Sequence, residues 1–145
     1  MTYDFNSDLD YGKRGERFIL NIVRKKYPKA FMSEEKCNWD IYVPEKDIYL
    51  EVKTDRESRK TDNVAIECEY KGNPSGIETT ISNYWYHIFY DSGWKYGCIK
   101  TTNLFSLCER SDPIPSGDGA MCHLVPKNVF KGHLVSLHDI RGSAS

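Results

Sequence analysis

The chain has 145 residues, of which 28% are charged, 39% hydrophobic and 13% aromatic, with a formal net charge of −1. That length suits one domain with a real core, and the balanced charge argues against a uniformly basic nucleic-acid binder, so what matters is how the charges are distributed. No apolar run approaches a membrane span and the N-terminus is polar and acidic, so a soluble cytoplasmic protein without a signal peptide is expected.

Residues 1–10 read as extended or loosely attached. A helix is predicted from Tyr11 to Pro28, with the proline near its end. At 3.6 residues per turn Glu16 falls in the stripe of Ile19, Leu20, Val23 and Tyr27. A buried carboxylate is costly without a partner, which a metal or a lysine of the neighbouring sheet would supply. The other reading is an acid in the first turn, favoured by the helix dipole. The same helix carries Lys13, Arg14, Arg17, Arg24, Lys25 and Lys26, followed by Lys29. Such a run is either a solvated face or a set of phosphate contacts, with Lys13, Arg14 and Arg17 nearest the acid.

Trp39 to Val43 and Ile48 to Lys53 alternate and are rich in aromatic and β-branched residues, and Pro44-Glu45-Lys46-Asp47 between them is turn-like. A regular hairpin pairs Val43 with Ile48 and sets Asp40 across from Glu51, while a shift of two residues sets Asp40 across from Lys53. Opposed side chains have Cβ atoms about 4.5–5.5 Å apart, and like charges there repel unless a cation lies between them. Either register gives an acid–acid–lysine cluster on the face away from Ile41, Val43, Leu50 and Val52. Mg²⁺, which takes one or two carboxylates plus waters and phosphate oxygens, resolves the repulsion most simply. A metal there polarises a phosphodiester oxygen and lowers the pKa of a bound water, and Lys53 orients or deprotonates that water or balances transition-state charge. The plain alternative is a surface ion pair on an ordinary hairpin.

Asp55 to Asp62 is a dense charged loop, with Arg56, Arg59 and Lys60, suited to face DNA. Asn63 to Tyr70 reads as a third strand with Ala65, Glu67 and Glu69 on one face. Glu67 is either close to the site or a solvated strand residue. Trp85 to Tyr90 and Lys95 to Lys100 read as strands joined at Asp91-Ser92-Gly93. A short helix capped by Asn103 is expected to Glu109, then a loop from Pro113 to Gly119, then a terminal hairpin from Met121 to Leu137 turning at Pro126-Lys127-Asn128. Arg141 to Ser145 reads as a tail or cloning remnant. Five scattered cysteines at 37, 68, 98, 108 and 122 form no C-x-x-C pair and read as reduced thiols. The loose group Cys122, His123, His133 and His138 matches no zinc-module spacing. The elements add up to an α/β protein with a mixed central β-sheet flanked by helices.

From Gly12-Lys13-Arg14-Gly15-Glu16-Arg17-Phe18 through Asn38-Trp39-Asp40 to Glu51-Val52-Lys53-Thr54, the order of elements resembles the PD-(D/E)XK nuclease superfamily. Asn38-Trp39 stands where that pattern has its variable proline. The segment from Asn63 through Pro74-Ser75-Gly76 and Thr79-Thr80 to Tyr84-Trp85 is similar to resolvase-like and phage-type small members. The resemblance implies a restriction-endonuclease-like core in a single domain over residues 1–140. It implies a Mg²⁺ or Mn²⁺ site formed by Asp40, Glu51 and the Val52 carbonyl, with Glu16 as a metal or water-shell ligand and Lys53 serving the water. It further implies phosphate contacts from Thr80 (or Thr79 or Ser82), a duplex or branched DNA substrate, a homodimer and a phage origin. Two rivals remain: a non-catalytic DNA- or protein-binding module on the same fold, and an interaction or inhibitor protein with no need of a divalent metal.

Overall fold

The computed structural model describes residues 8–35, 37–55, 62–90, 94–133, 135 and 136. The charged loop with Arg56, the turn at Asp91-Ser92-Gly93, His138 and the tail from Arg141 lie outside the described residues.

Helix α1 (Asp8–Arg24) begins and ends earlier than the apolar spacing predicts. Beyond Arg24 the Lys25 and Lys26 amides bond carbonyls three residues back, at 3.2 and 3.1 Å, a tightening that ends the helix, and Pro28 bars another turn. The Arg24 Nε donates to the Ala30 carbonyl at 2.8 Å. This member of the basic run therefore fastens the exit of the helix. Ile19, Leu20 and Val23 form the apolar stripe and are buried.

Six strands form the main sheet: β1 (Phe31–Met32), β2 (Ile41–Val43), β3 (Ile48–Asp55), β6 (Tyr84–Tyr90), β7 (Trp94–Lys100) and β10 (Val135–Ser136), in the order β1-β2-β3-β6-β7-β10. The β2–β3 hairpin takes the regular register, with Val43 opposite Ile48 and Ile41 opposite Leu50. Its turn is closed by Lys46 on the Val43 carbonyl and by Asp47, which adopts the left-handed conformation at φ 51°. β3 and β6 are parallel, and the other neighbouring pairs are antiparallel. A parallel pair needs a long crossover. Here it contains β4 (Asn63–Tyr70) and β5 (Asn73–Pro74), which belong to a second sheet with β8 (Ile114–Gly117) and β9 (Ala120–Pro126), ordered β5-β4-β9-β8.

The alternation of β3 and β6 gives the sheet two different faces. Leu50, Val52 and Ile88 close a first core against α1 with Ile41, Val43 and Tyr96. Trp85 and Phe89 face the other way, into a second core with Val64 and Ile66 of β4, Val125 of β9 and Leu104 of α2 (Thr101–Cys108). The protein is a mixed α/β structure with two sheets and few helices.

Three expectations in the C-terminal half are corrected. α2 starts directly from β7 at Thr101, whose amide bonds the Asn83 carbonyl at 3.1 Å, so Asn103 lies inside the helix and is not its cap. The Pro/Gly/Ser stretch is a hairpin with edge strand β8: left-handed Gly117, Asp118 and Gly119 make the turn, and Pro115 is tolerated because an edge strand has an unpaired side. The terminal hairpin does not form. β9 pairs with β4 and β8, the chain passes through 3-10 turns (Lys127–His133) that bury Phe130, and β10 joins β7 in the main sheet. No helix among the described residues is long and apolar enough to cross a membrane.

Candidate active site

β3 outruns β2, so beyond Ile41 the Val52 amide has no strand partner on that side. The Asp40 carboxylate takes its place, accepting that N–H at 2.8 Å, while the Asp40 amide donates to the Leu50 carbonyl at 2.9 Å. Asp40 is thus locked beside Glu51 by the end of its own hairpin. Glu51 points to the face opposite α1, and its side chain is only 10% exposed. Its Oε2 lies 3.4 Å from the Lys53 ammonium and its Oε1 accepts the Thr80 hydroxyl at 3.0 Å.

Burial, then the charge of Asp40, push the Glu51 carboxyl up to about 7, against the pull of Lys53 and Thr80. The Lys53 side chain is 43% exposed. Partial burial tends to lower its pKa, but Glu51 and Asp40 outweigh that and hold it above the ordinary lysine value. Lys53 therefore remains an ammonium at neutral pH. It also sits 5.9 Å from the centre of the Trp85 ring, within cation–π range.

Glu16 reaches the same cluster from α1. Its side chain is 14% exposed, Lys13 lies 3.6 Å away, and burial and the charge of Asp40 raise its carboxyl above the usual range. Gly15 explains the approach. A Cβ there would stand 2.1 Å from Thr54 Oγ1, so only glycine lets the helix lie this close to β3.

Glu67 is half-buried beside the cluster and helps to raise the Lys53 pKa. The Ser75 hydroxyl donates to it at 2.8 Å. A register shift between Glu67 and Glu69 marks a bulge at Cys68, whose carbonyl accepts the Ser75 amide at 3.0 Å. Gly76, left-handed at φ 55°, packs so tightly that a Cβ would meet the Glu67 carbonyl oxygen at 2.2 Å.

Of the predicted site residues, the structure brings Glu16, Asp40, Glu51 and Lys53 together, with Glu67 beside them. Val52 buries its side chain in the α1 core and contributes its amide to Asp40. Thr80, expected at a phosphate, is bonded within the site: besides donating to Glu51, its hydroxyl lies 3.3 Å from the Asn38 carbonyl and accepts the Ser82 amide at 3.1 Å. Ser82 is buried and Thr79 is exposed. Arg17 is exposed and Arg14 half-buried, and Arg24 is about 16 Å along the helix from Lys13.

Sequence reasoning missed His87. It pairs with Lys53 in the parallel register and is 3% exposed. Its Nδ1 accepts the Trp85 indole N–H at 3.3 Å, and its Nε2 faces Asp55 at 3.6 Å. Burial lowers its pKa, so it is neutral and the Nε2 proton points at Asp55. The alternation Trp85-His87-Phe89 was visible as one face, but the parallel neighbour was not.

Among the described residues no three His, Cys, Asp or Glu side chains gather closely enough to hold a metal by themselves. Two carboxylates with the remaining positions left to water and backbone suit Mg²⁺ or Mn²⁺ better than zinc. A groove of about 720 Å³ lies on the opposite face, lined by Tyr27, Tyr84, Tyr86 and Tyr96 with no carboxylate, and offers none of this chemistry. Compared with protein-family models, with curated proteins and with solved structures, the chain matches none.

Proposed function

We propose that this protein is a Mg²⁺- or Mn²⁺-dependent endonuclease of the PD-(D/E)XK type, with a restriction-endonuclease-like core, that hydrolyses phosphodiester bonds in duplex or branched DNA. The observation that carries the reading is Glu51. A nearly buried carboxylate pushed up to about 7 beside Asp40 is costly to the fold, and charges so arranged mark functional sites. The order of α1, hairpin and parallel β3–β6 pair supports it. The core departs from the family pattern in routing the crossover through the strands of a second sheet.

Asp40 and Glu51 would hold the metal, which supplies a more acidic water and a polarised phosphate oxygen. The water oxygen forms the new bond to phosphorus, the ester oxygen leaves and is protonated by solvent, and the water proton passes to a carboxylate. Glu16, held above the ordinary carboxylate range, is suited to take that proton. Lys53, an ammonium at neutral pH, cannot serve as the base. It stabilises charge gathering on the phosphate oxygens.

The test is cleavage of plasmid and branched DNA with Mg²⁺, Mn²⁺ or EDTA, comparing wild type with Asp40→Ala and Lys53→Ala. Metal-dependent cutting reduced roughly 10²- to 10⁴-fold by each change is expected. DNA binding with no cutting under either metal would replace the nuclease by a binding module.

A further inference from the structure

The second core contains no residue of β1, β2 or β3, so on the site's face the outer half of the main sheet is left uncovered by the second sheet and α2. That half carries four aromatic rings. Phe31 and Tyr49 both pair with Tyr42 in the strand registers, making a row across three strands about 10 Å wide. Trp39 packs beside them, 5.2 Å from Tyr49 and 6.3 Å from Phe31, while Tyr42 and Tyr49 lie 4.7 Å apart. Phe31 is 45% exposed and the other three are half-buried. Tyr49 stands two residues before Glu51 on the same face of β3, so the row runs directly into the acid–lysine cluster.

We propose that this aromatic shelf stacks unpaired nucleobases of DNA next to a phosphate contacted by the Lys53 ammonium, which makes the substrate a branched or single-stranded DNA rather than a continuous duplex. The inference rests on the nuclease reading for its orientation. Every base offers a π-face, so such a shelf binds without reading sequence. Charge decides between a base and a backbone. Tyr42 donates its hydroxyl to Asp47 at 2.6 Å, and Glu34 and Glu35 are exposed on the segment after β1. A phosphate chain crossing this rim would meet carboxylates, whereas a neutral base lying inward of it would not, and its own phosphate leads back to Lys53.

The experiment uses the full chain in EDTA with three DNA probes: a continuous duplex, a duplex with an unpaired arm, and a single strand. The probes with unpaired bases carry 2-aminopurine next to the junction or at mid-strand, because its fluorescence falls on stacking. Wild type is expected to quench it and to bind the armed duplex more tightly than the continuous one. Trp39→Ala and Tyr49→Ala are each expected to abolish the quench and weaken armed-duplex binding roughly tenfold, leaving continuous-duplex binding unchanged. Trp39→Phe keeps the ring and is expected to retain both, which separates a lost stack from a lost fold. Equal affinity for all probes, a quench untouched by the alanine changes, or no DNA binding would overturn the shelf. Metal-dependent cutting by wild type with no quench sinks the shelf and leaves the nuclease standing. A quench without cutting under Mg²⁺ or Mn²⁺ does the reverse.

Discussion

On one face of β3, Leu50 and Val52 close against Ile19, Leu20 and Val23 of α1, in a core whose buried members are all apolar or aromatic. On the other, one residue out of step, Glu51 and Lys53 sit among Asp40, Glu16, Glu67 and His87. The same strand thus stabilises the molecule with one set of side chains and strains it with the other. Alternation lets a single strand do both, because successive side chains never share a face.

The comparison is broken most directly by exchanging the costs. Ile41→Ala on the apolar face is expected to lose about 2–5 kcal/mol in urea unfolding. Glu51→Gln, at a nearly buried position, is expected to lose nothing at pH 8 and to gain. If Glu51→Gln proves as damaging as Ile41→Ala, the acid is structural and the contrast fails.

The next largest effect is in pH. The folded-state pKa of Glu51 is about 7, against 4.5 for the unperturbed carboxyl. The folded protein therefore binds this proton more tightly than the unfolded chain. The resulting stability is complete below about pH 4.5 and is lost as pH rises through about 7, a span of roughly 3 kcal/mol at most. Melting temperatures without divalent metal should fall between pH 5 and 8, and Glu51→Gln should flatten that fall. Added Mg²⁺ should raise the melting temperature at pH 8 and do little at pH 5. An unchanged profile in Glu51→Gln would place the titration elsewhere.

Gly15→Ala sharpens the contrast by pressing on the helix that joins the two regions. The added methyl meets Thr54 Oγ1 and Ile88 Cδ1, a crowding worth about 1–3 kcal/mol. Thr54→Ala in the same chain should return most of it, so the double-mutant cycle reads the contact itself. Because Glu16 rides on the next position, cleavage should drop further than stability does.

Thr80→Val is the smallest change, about 1 kcal/mol of stability. Its hydroxyl bond holds the Glu51 pKa down, so the midpoint of the pH-dependent melting should move to higher pH. No movement would show that Thr80 does not hold the acid.

Much of the apolar face was legible from the chain. Ile19, Leu20 and Val23 recur at helical spacing, and the β2–β3 hairpin with its turn at Pro44 to Asp47 follows from local alternation. Of the two registers the pattern allowed, the structure takes the regular one, which puts Asp40 beside Glu51. The acid stripe position of Glu16 was also visible, although the reason it can reach β3 is a missing Cβ at Gly15. Less was legible after Tyr90. Pro115 and its glycines read as a loop by composition, yet they pair as an edge strand because β9 offers a partner. Residues after Pro126 read as a hairpin, yet burial of Phe130 draws β10 across to β7.

By itself the sequence determined which residues alternate, where the local turns fall, and that two acids and a lysine share one face of one hairpin. These depend on backbone geometry over a few residues. Only the tertiary structure decided that β6 runs parallel beside β3, bringing His87 to Lys53, and that Thr80 and Glu67 return to the cluster through the crossover. It also decided that the second sheet and α2 leave the outer half of this sheet face uncovered. Those outcomes depend on contacts between segments far apart in the chain, where loop closure and packing choose among partners that local pattern leaves equivalent.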